Sequence, residues 1–332
     1  MSNANTPEPL SALIIGCGAI AGGYDQAGGE AIRTHAGAYR HDPRFQITAC
    51  VEPDAERRAA FLAYWEIAVG FADLDACKAS GMAFDVASLC SPTDCHVADL
   101  KALLDMPVRA VFAEKPLCGS TEIVVAYAAA GIPLAVNYLR RWDAGTAGLR
   151  DEIAAGDWGA VQAVTGHYAK GLLNCGSHMV DLLHFLIGPL TAKSVVGVIN
   201  DYRDDDPTVS AVLETQSGAP VFMVGCDGRE FFPFEVDLVM SKGRVSLEDL
   251  GGNLRRRRVR PHRLYPSQQT LDDGVWTETH LSTALAAAID GLYETLTNGA
   301  PLASDGVSAL AAETVCGVLL EMTEDFQKGA RS

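Results

Sequence analysis

Two short stretches of this 332-residue chain hold side chains of the kinds that move protons. Glu114-Lys115-Pro116 follows the apolar run Val111-Phe112-Ala113, so a lysine stands at the carboxyl end of a strand, the edge where ligands of open α/β sheets bind. A partly desolvated lysine there exchanges a proton with a hydroxyl or a carbonyl; on a solvated turn it is an ordinary surface lysine. Asn174-Cys175-Gly176-Ser177-His178-Met179-Val180-Asp181 reads as a helix start, and His178 and Asp181, three apart, share one face with Asn174 just before them. Acid, base and amide then converge, unless His178 and Asp181 simply satisfy each other. His184 is expected to pack beside Phe185 against a sheet.

A different chemistry is written in glycine. Gly16-Cys17-Gly18-Ala19-Ile20-Ala21 follows Ala12-Leu13-Ile14-Ile15 and matches the G-x-G-x-x-G/A pattern between a strand and a helix. The missing side chains at Gly16 and Gly18 let the backbone approach a pyrophosphate at a helix N-terminus, and Ala19 and Ile20 continue that turn. Glu52, at the end of the second strand, is placed to accept the adenosine ribose hydroxyls and to repel a 2′-phosphate, which makes NAD the expected cofactor and NADP the less favoured one. Glu52 lies further from the glycines than the usual ~20 residues. The excess is the polar stretch of residues 24–34, with Tyr24-Asp25-Gln26-Ala27-Gly28-Gly29-Glu30 at its start, which is either a flap over the cofactor or substrate or a plain surface excursion.

These residues need elements to hold them. Strands are expected at 12–15, 46–51, 84–90, 109–113 and 132–136, with helices from Asp54 onward, at about 94–104 and at about 120–130. Strands separated by helices indicate right-handed βαβ units, hence a doubly wound parallel sheet, the Rossmann arrangement. After Asn137 the pattern changes to short runs at about 160–168, 194–199, 209–215, 220–226, 234–240 and 243–247, with turn signals at Ser217-Gly218 and Lys242-Gly243. This is an α+β domain with an open, mostly antiparallel sheet. Helices at about 177–187, 281–297 and 305–326 accompany it, and the division falls as residues 1–136 and 137–332.

Composition bounds the partners. Asp plus Glu outnumber Lys plus Arg by 42 to 26, and a net charge of −16 repels phosphate backbones and anionic lipid, so neither nucleic acid nor membrane is an expected partner. The nine cysteines are scattered without a zinc-type spacing, so no metal is expected, and most sit in apolar runs as small hydrophobes. No basic n-region with an apolar stretch opens the chain, and a reduced, cytoplasmic protein is expected. Arg255-Arg256-Arg257-Arg258, with Arg260 and Arg263, is the strongest local charge anomaly: a solvated strand or subunit contact, or a site for an anionic sugar.

Taken in order, Gly16-Cys17-Gly18-Ala19-Ile20-Ala21, Ser91-Pro92-Thr93 with His96, Glu114-Lys115-Pro116 and Gly176-x-His178-x-x-Asp181 resemble the Gfo/Idh/MocA oxidoreductases, the glucose–fructose oxidoreductase and inositol dehydrogenase group. The likeness runs over nearly the whole chain, to Asn298-Gly299-Ala300-Pro301 and Ser308. It implies a Rossmann domain followed by an α+β domain whose open sheet makes oligomer contacts, in a homodimer or homotetramer. It implies a hydride passed between NAD(H) and a secondary alcohol or ketone of a sugar, sugar phosphate or nucleotide sugar. Lys115 and His178 become the catalytic pair, and Ser91, Pro92, His96 and Glu114 join the cofactor contacts. Asn174, Asp181, Tyr168, Asn137 and Arg141 become substrate contacts, Arg141 or Arg140 holding an anionic group and Tyr168 donating to a carbonyl where it does not simply pack. Many sugar dehydrogenases of this family carry Asp where this chain has Asn174, and a neutral amide orients a hydroxyl but cannot take its proton. Two other activities share the fold by resemblance: an NAD-dependent glycosidase with transient oxidation, and a non-catalytic sensor of NAD or sugar.

Overall fold

A computed structural model describes residues 8–26, 29 and 32–329 of the chain. Six strands make the first sheet: β1 (Leu10–Ile15), β2 (Phe45–Val51), β3 (Val69–Phe71), β4 (Phe84–Leu89), β5 (Val108–Ala113) and β6 (Leu134–Val136). Their order is β3-β2-β1-β4-β5-β6 and every pair is parallel, the order of a dinucleotide-binding Rossmann sheet. The central strands are apolar on both faces because helices cover both, and Val86, Ala87, Leu89 and Ala110 through Ala113 are fully buried. The helices are α1 (His35–His41), α2 (Ala55–Trp65), α3 (Leu74–Ala79), α4 (His96–Leu104) and α5 (Thr121–Ala130). Side-chain caps start several of them: Thr34 accepts from Gly37 N, Asp54 from Arg57 N, Asp73 from Ala76 N and Ser120 from Ile123 N.

The second sheet is built on β7 (Val161–Tyr168), with α6 (Ala144–Ala154) before it and α7 (Ser177–Ile187) after it. Then come β8 (Leu190–Arg203), β9 (Asp206–Thr215), β10 (Pro220–Gly225), β11 (Phe234–Met240), β12 (Gly243–Glu248), β13 (Asn253–Pro261), β14 (Gln269–Leu271) and β15 (Val275–Glu278). The order is β14-β13-β12-β11-β7-β10-β9-β8, with β15 paired to β13. All pairs are antiparallel except β7 with β10. The turns at Ser217-Gly218 and Lys242-Gly243 join antiparallel neighbours as their composition predicts, Gly218 at φ +86. One face of the sheet packs on α7 through Val164, Val236, Leu238, Met179, Val180 and Leu183, all buried.

The chain returns to its first half near its end. One compact unit takes in the chain to Leu139 together with Ser282–Leu310, the other Arg140–Leu281 and the chain from Ala311. The expected division at 136/137 is thereby moved by a few residues and made discontinuous, because helix α8 (Ala284–Asn298) packs on the first sheet. Arg44 bridges Asp290 at 2.7 Å and stacks 4.1 Å from the Tyr293 ring centre, and Arg109 Nη2 donates to the Leu296 carbonyl. No sequence signal marks this return, since α8 is apolar on one face whichever sheet it covers. The last helix, α9 (Gly306–Gly329), is long and apolar enough to cross a membrane by length and composition. Its buried residues Ala312, Cys316 and Leu319 nevertheless recur at helical spacing and pack in the core of the second unit.

Candidate functional site

Gly16 closes β1 with φ +81, and a Cβ there would lie 2.7 Å from the Cys90 carbonyl oxygen and the Ser91 nitrogen, so this glycine is demanded by the fold itself. Gly18 differs: its φ is −83, and among the described residues nothing lies within 4 Å of where its Cβ would stand. The absent side chain at Gly18 leaves the backbone approachable and solves no packing problem inside the chain. The backbone then closes one π-helical turn, Ala19–Gly23, with Gly22 N and Gly23 N bonded to Gly18 O. Ala19 is exposed and Ile20 half-buried. The helix expected after the glycines is therefore a single turn, and α1 begins only at His35, because residues 24–34 intervene. The ends of that excursion are stapled by the buried Asp25 carboxylate, which accepts from Arg33 N, Thr34 N and Thr34 Oγ1 at 2.7–2.8 Å. Residues 27, 28, 30 and 31, where the proposed flap would have its tip, lie outside the described residues.

Glu52 follows β2 and is 3 % exposed. Its carboxylate accepts from Cys17 N at 2.9 Å, from Asp54 N at 3.1 Å and from Arg57 Nη1 at 3.4 Å, so it clips the glycine turn to the second strand. Two carboxylate oxygens offer about four acceptor sites, and capacity remains for a ribose hydroxyl. Sequence reasoning missed the clip, because contact between residues 17 and 52 exists only once β1 and β2 pair.

At the end of β5, Glu114 accepts from Asn137 Nδ2 at 2.7 Å and faces His35 Nε2 at 3.0 Å. Burial pushes the Glu114 carboxyl up, but these two bonds and the positive charge of Lys115 outweigh it and hold the group below its ordinary range. Lys115 itself is half-buried, and the peptide bond to Pro116 is cis. Asn137, expected at the substrate, donates Nδ2 to Glu114, and its buried Oδ1 has no hydrogen-bond partner among the described residues. Ser91 Oγ donates to Asp99 at 2.6 Å, and Pro92 is exposed. His96 departs from expectation: it is 1 % exposed, with Nδ1 2.7 Å from the Pro116 carbonyl and Nε2 2.9 Å from the Ser91 carbonyl, so its ring nitrogens face backbone and not a cofactor.

In the second unit, Asn174 and Cys175 lie on a π-helical turn, Leu172–Gly176, that runs directly into α7. Asp206, 6 % exposed, accepts Leu173 N at 2.7 Å and Asn174 N at 2.9 Å, and Gly171 at φ +85 lets the chain pass against it. Asn174 Nδ2 donates to the Lys170 carbonyl at 3.0 Å. His178 is half-buried one residue into α7, and Asp181 is 1 % exposed. Asp181 takes Arg141 Nε on both oxygens at 2.8 Å. Arg141, expected to hold a substrate anion, has its Nε engaged by Asp181. Arg140 stacks 3.5 Å from the Phe234 ring centre and donates to the Leu250 carbonyl, and burial lowers its pKa to about 10. Asp206 was unreadable in sequence, since Asp204-Asp205-Asp206 looks like a solvated turn.

Tyr168 is also corrected. It is fully buried, its hydroxyl donates to Val209 O at 2.7 Å and accepts from Val209 N at 2.9 Å, and burial pushes it far above the usual tyrosine range. The arginine run divides by strand alternation. Arg256 pairs with Glu152 at 3.0 Å and Arg258 stacks 3.5 Å over Trp158, while Arg255 and Arg257 donate to the carbonyls of Asp273 and Asp272. These arginines fasten β13 to its neighbours.

Residues 10–131 match the model of GFO_IDH_MocA, an oxidoreductase family with an NAD-binding Rossmann fold. No curated protein matches the chain. Among solved structures it resembles the WlbA dehydrogenase of Bordetella pertussis in complex with NADH and UDP-GlcNAcA, at 19% identity and TM-score 0.77 over 96% of this chain and 97% of that one. It resembles UDP-N-acetylglucosamine 3-dehydrogenase GnnA of Acidithiobacillus ferrooxidans at 19% identity and TM-score 0.68, over 94% and 97%. An oxidoreductase from Agrobacterium radiobacter in complex with NAD+, L-tartaric acid and magnesium is similar at 18% identity and TM-score 0.73, over 94% and 96%. At these identities the structures establish a shared fold.

Proposed function

We propose that this chain, which carries the NAD-binding Rossmann domain of the Gfo/Idh/MocA oxidoreductase family over residues 10–131, is an NAD(H)-dependent dehydrogenase or reductase acting on a secondary alcohol or ketone of a sugar or nucleotide sugar. The observation that carries the reading is the carboxyl edge of the first sheet. It presents, strand by strand, the open backbone at Gly18, the Glu52 carboxylate and Lys115. The residues present fit the cofactor: Gly18 has space before it, and the buried Asn137 Oδ1 awaits a donor. When bound, the nicotinamide supplies hydride transfer, and the protein's part is to bind, orient and move protons.

Gly16, Gly18, Ala19 and Ile20 would seat the pyrophosphate, and Glu52 would take the ribose hydroxyls and repel a 2′-phosphate, which supports NAD over NADP. Lys115 would exchange the proton of the reacting hydroxyl. In the second unit, His178 would hold or relay a substrate proton and Asn174 would orient a hydroxyl, while Asp181 acts at one remove by holding Arg141. Support for a nucleotide sugar comes from WlbA and GnnA, both nucleotide-sugar enzymes, and not from the arginines, which are engaged within the chain.

Replacing Lys115 by Met tests the assignment. A panel of sugars and UDP-sugars, followed by NADH absorbance, is expected to give turnover that the variant loses while its NADH affinity stays; near-parental rates would refute the role of Lys115. Assembly through the second sheet belongs to the same proposal. Phe222 and Val239, 42% and 38% exposed, lie on the face away from α7, and Phe222→Asp is expected to lower the mass seen by light scattering.

A further inference from the structure

The tripeptide Glu114-Lys115-Pro116 is gripped on both sides by imidazoles. On one side stands His35 of α1, its side chain fully buried, with Nε2 3.0 Å from Glu114 Oε1 and Nδ1 3.0 Å from Ser88 Oγ, while Tyr39 OH lies 2.9 Å from that same Ser88 oxygen. One assignment satisfies every atom: Tyr39 donates to Ser88, Ser88 donates to Nδ1, and Nε2–H donates to Glu114. Phe112 packs against the imidazole with ring centres 4.6 Å apart and fixes its plane. On the other side stands His96 of α4, whose two ring nitrogens face the carbonyls of Pro116 and Ser91. Residues of α1 and the end of β6 thus converge on the carboxylate preceding Lys115, with Ser88 of β4 behind the imidazole, and a residue of α4 converges on the carbonyl of the proline following it.

Packing alone does not call for this. A buried chain of polar groups is costly unless every member is bonded, and apolar residues of similar volume fill such a space more cheaply. What the polar set supplies is direction, since a carboxylate and a carbonyl held at fixed angles leave the backbone between them one orientation. We propose that His35 and His96 are positioning residues that brace the two neighbours of Lys115 and so aim its ammonium group from the end of β5. Ser88 and Tyr39 complete the brace by fixing the tautomer and the ring of His35. The inference rests on Lys115 as the proton-exchanging group, yet it has a readout that does not depend on turnover.

In the full-length protein, reductive methylation with 13C-formaldehyde labels the lysines, and the Lys115 resonance is assigned by its loss in Lys115→Met. The brace predicts that His35→Leu, which removes both bonds, moves the Lys115 signal toward the sharp, free dimethyl-lysine line. His35→Gln, which keeps a donor within reach of Glu114, restores the parental signal. Turnover in His35→Leu is expected to fall on the order of 10²-fold in kcat, with little change in the affinity for NADH. An unchanged Lys115 resonance in a folded His35→Leu variant overturns the proposal. Should that variant not fold, Ser88→Ala, which removes the hydroxyl behind His35, and His96→Asn, which removes the second imidazole, are read in the same way, and parental signals in both overturn it equally. Loss of bracing in the spectrum together with undiminished turnover in Lys115→Met would refute the catalytic assignment while leaving the brace standing.

Discussion

Gly16 and Gly18 stand two residues apart in one turn, yet the structure assigns them opposite costs on substitution by alanine. At Gly16 the new Cβ would meet the Cys90 carbonyl and Ser91 nitrogen at 2.7 Å, backbone atoms that cannot swing aside, and φ is +81. The left-handed conformation costs about 1–2 kcal/mol for an L-residue, and the backbone overlap adds to it. Gly16→Ala should therefore lose at least about 2 kcal/mol, a fall of several degrees in melting temperature for a unit of this size. At Gly18 φ is −83 and no described residue lies within 4 Å of the added Cβ, so the stability of Gly18→Ala should stay within about 0.5 kcal/mol of the parent. Its damage should fall on the cofactor alone. A methyl group between backbone and pyrophosphate removes a hydrogen bond to a charged group worth about 1.5–3 kcal/mol, or roughly 10- to 100-fold in Kd. Thermal unfolding and titration of NADH by fluorescence, run on both variants, measure the two quantities separately. A Gly18→Ala protein that binds NADH as well as the parent does would refute the seating of the pyrophosphate on this turn.

Glu52→Gln keeps an acceptor for the Cys17 N–H but loses the negative charge, and should narrow the preference for NADH over NADPH by about tenfold or more; equal ratios in parent and variant contradict the ribose role. Burial and the nearby Arg141 depress the pKa of His184 from 6.5 to about 4, so on acidification the unfolded chain takes up that proton first. Stability should accordingly fall as pH drops from 6.5 toward 4, by roughly 3 kcal/mol in total, and His184→Gln should flatten that part of a urea-denaturation series. Arg258→Ala loses the stack on Trp158 and a bond to the Asp157 carbonyl, and should cost about 1 kcal/mol with turnover unchanged; lost turnover would place the arginine run in the substrate site.

Much of the first unit was legible because its signals are local. An apolar run, two glycines and an acid at the next strand end name a strand, a turn and a second strand end without reference to distant residues, and the parallel order follows from alternation of strand and helix. Hairpin turns in the second sheet were equally local. Tyr168 and His96 misled, since a polar tip reads as available when it in fact bonds backbone residues brought close by pairing: Val209 on β9 for Tyr168, Ser91 and Pro116 for His96. Arg141 has a partner that short spacing cannot show, Asp181 lying 40 residues away. The return of α8 to the first sheet carried no signal, as amphipathicity says that a helix covers something and not what it covers.

By itself, then, the sequence determined the glycine turn, the placing of Glu52 and Lys115 at strand ends, and the two kinds of sheet, each a matter of residue type and short spacing. Tertiary structure alone decided which polar groups remain to meet a ligand and which are consumed in holding the site together. His35, Ser88 and Asp206 are ordinary residues in the linear chain, and only the pairing of β1 with β4 and the folding of α1 over β5 bring an imidazole to the Glu114 carboxylate. The reason is range: conformational preferences act over a few residues, whereas a buried hydrogen bond joins whatever partners the topology delivers, here across a separation of 79 residues.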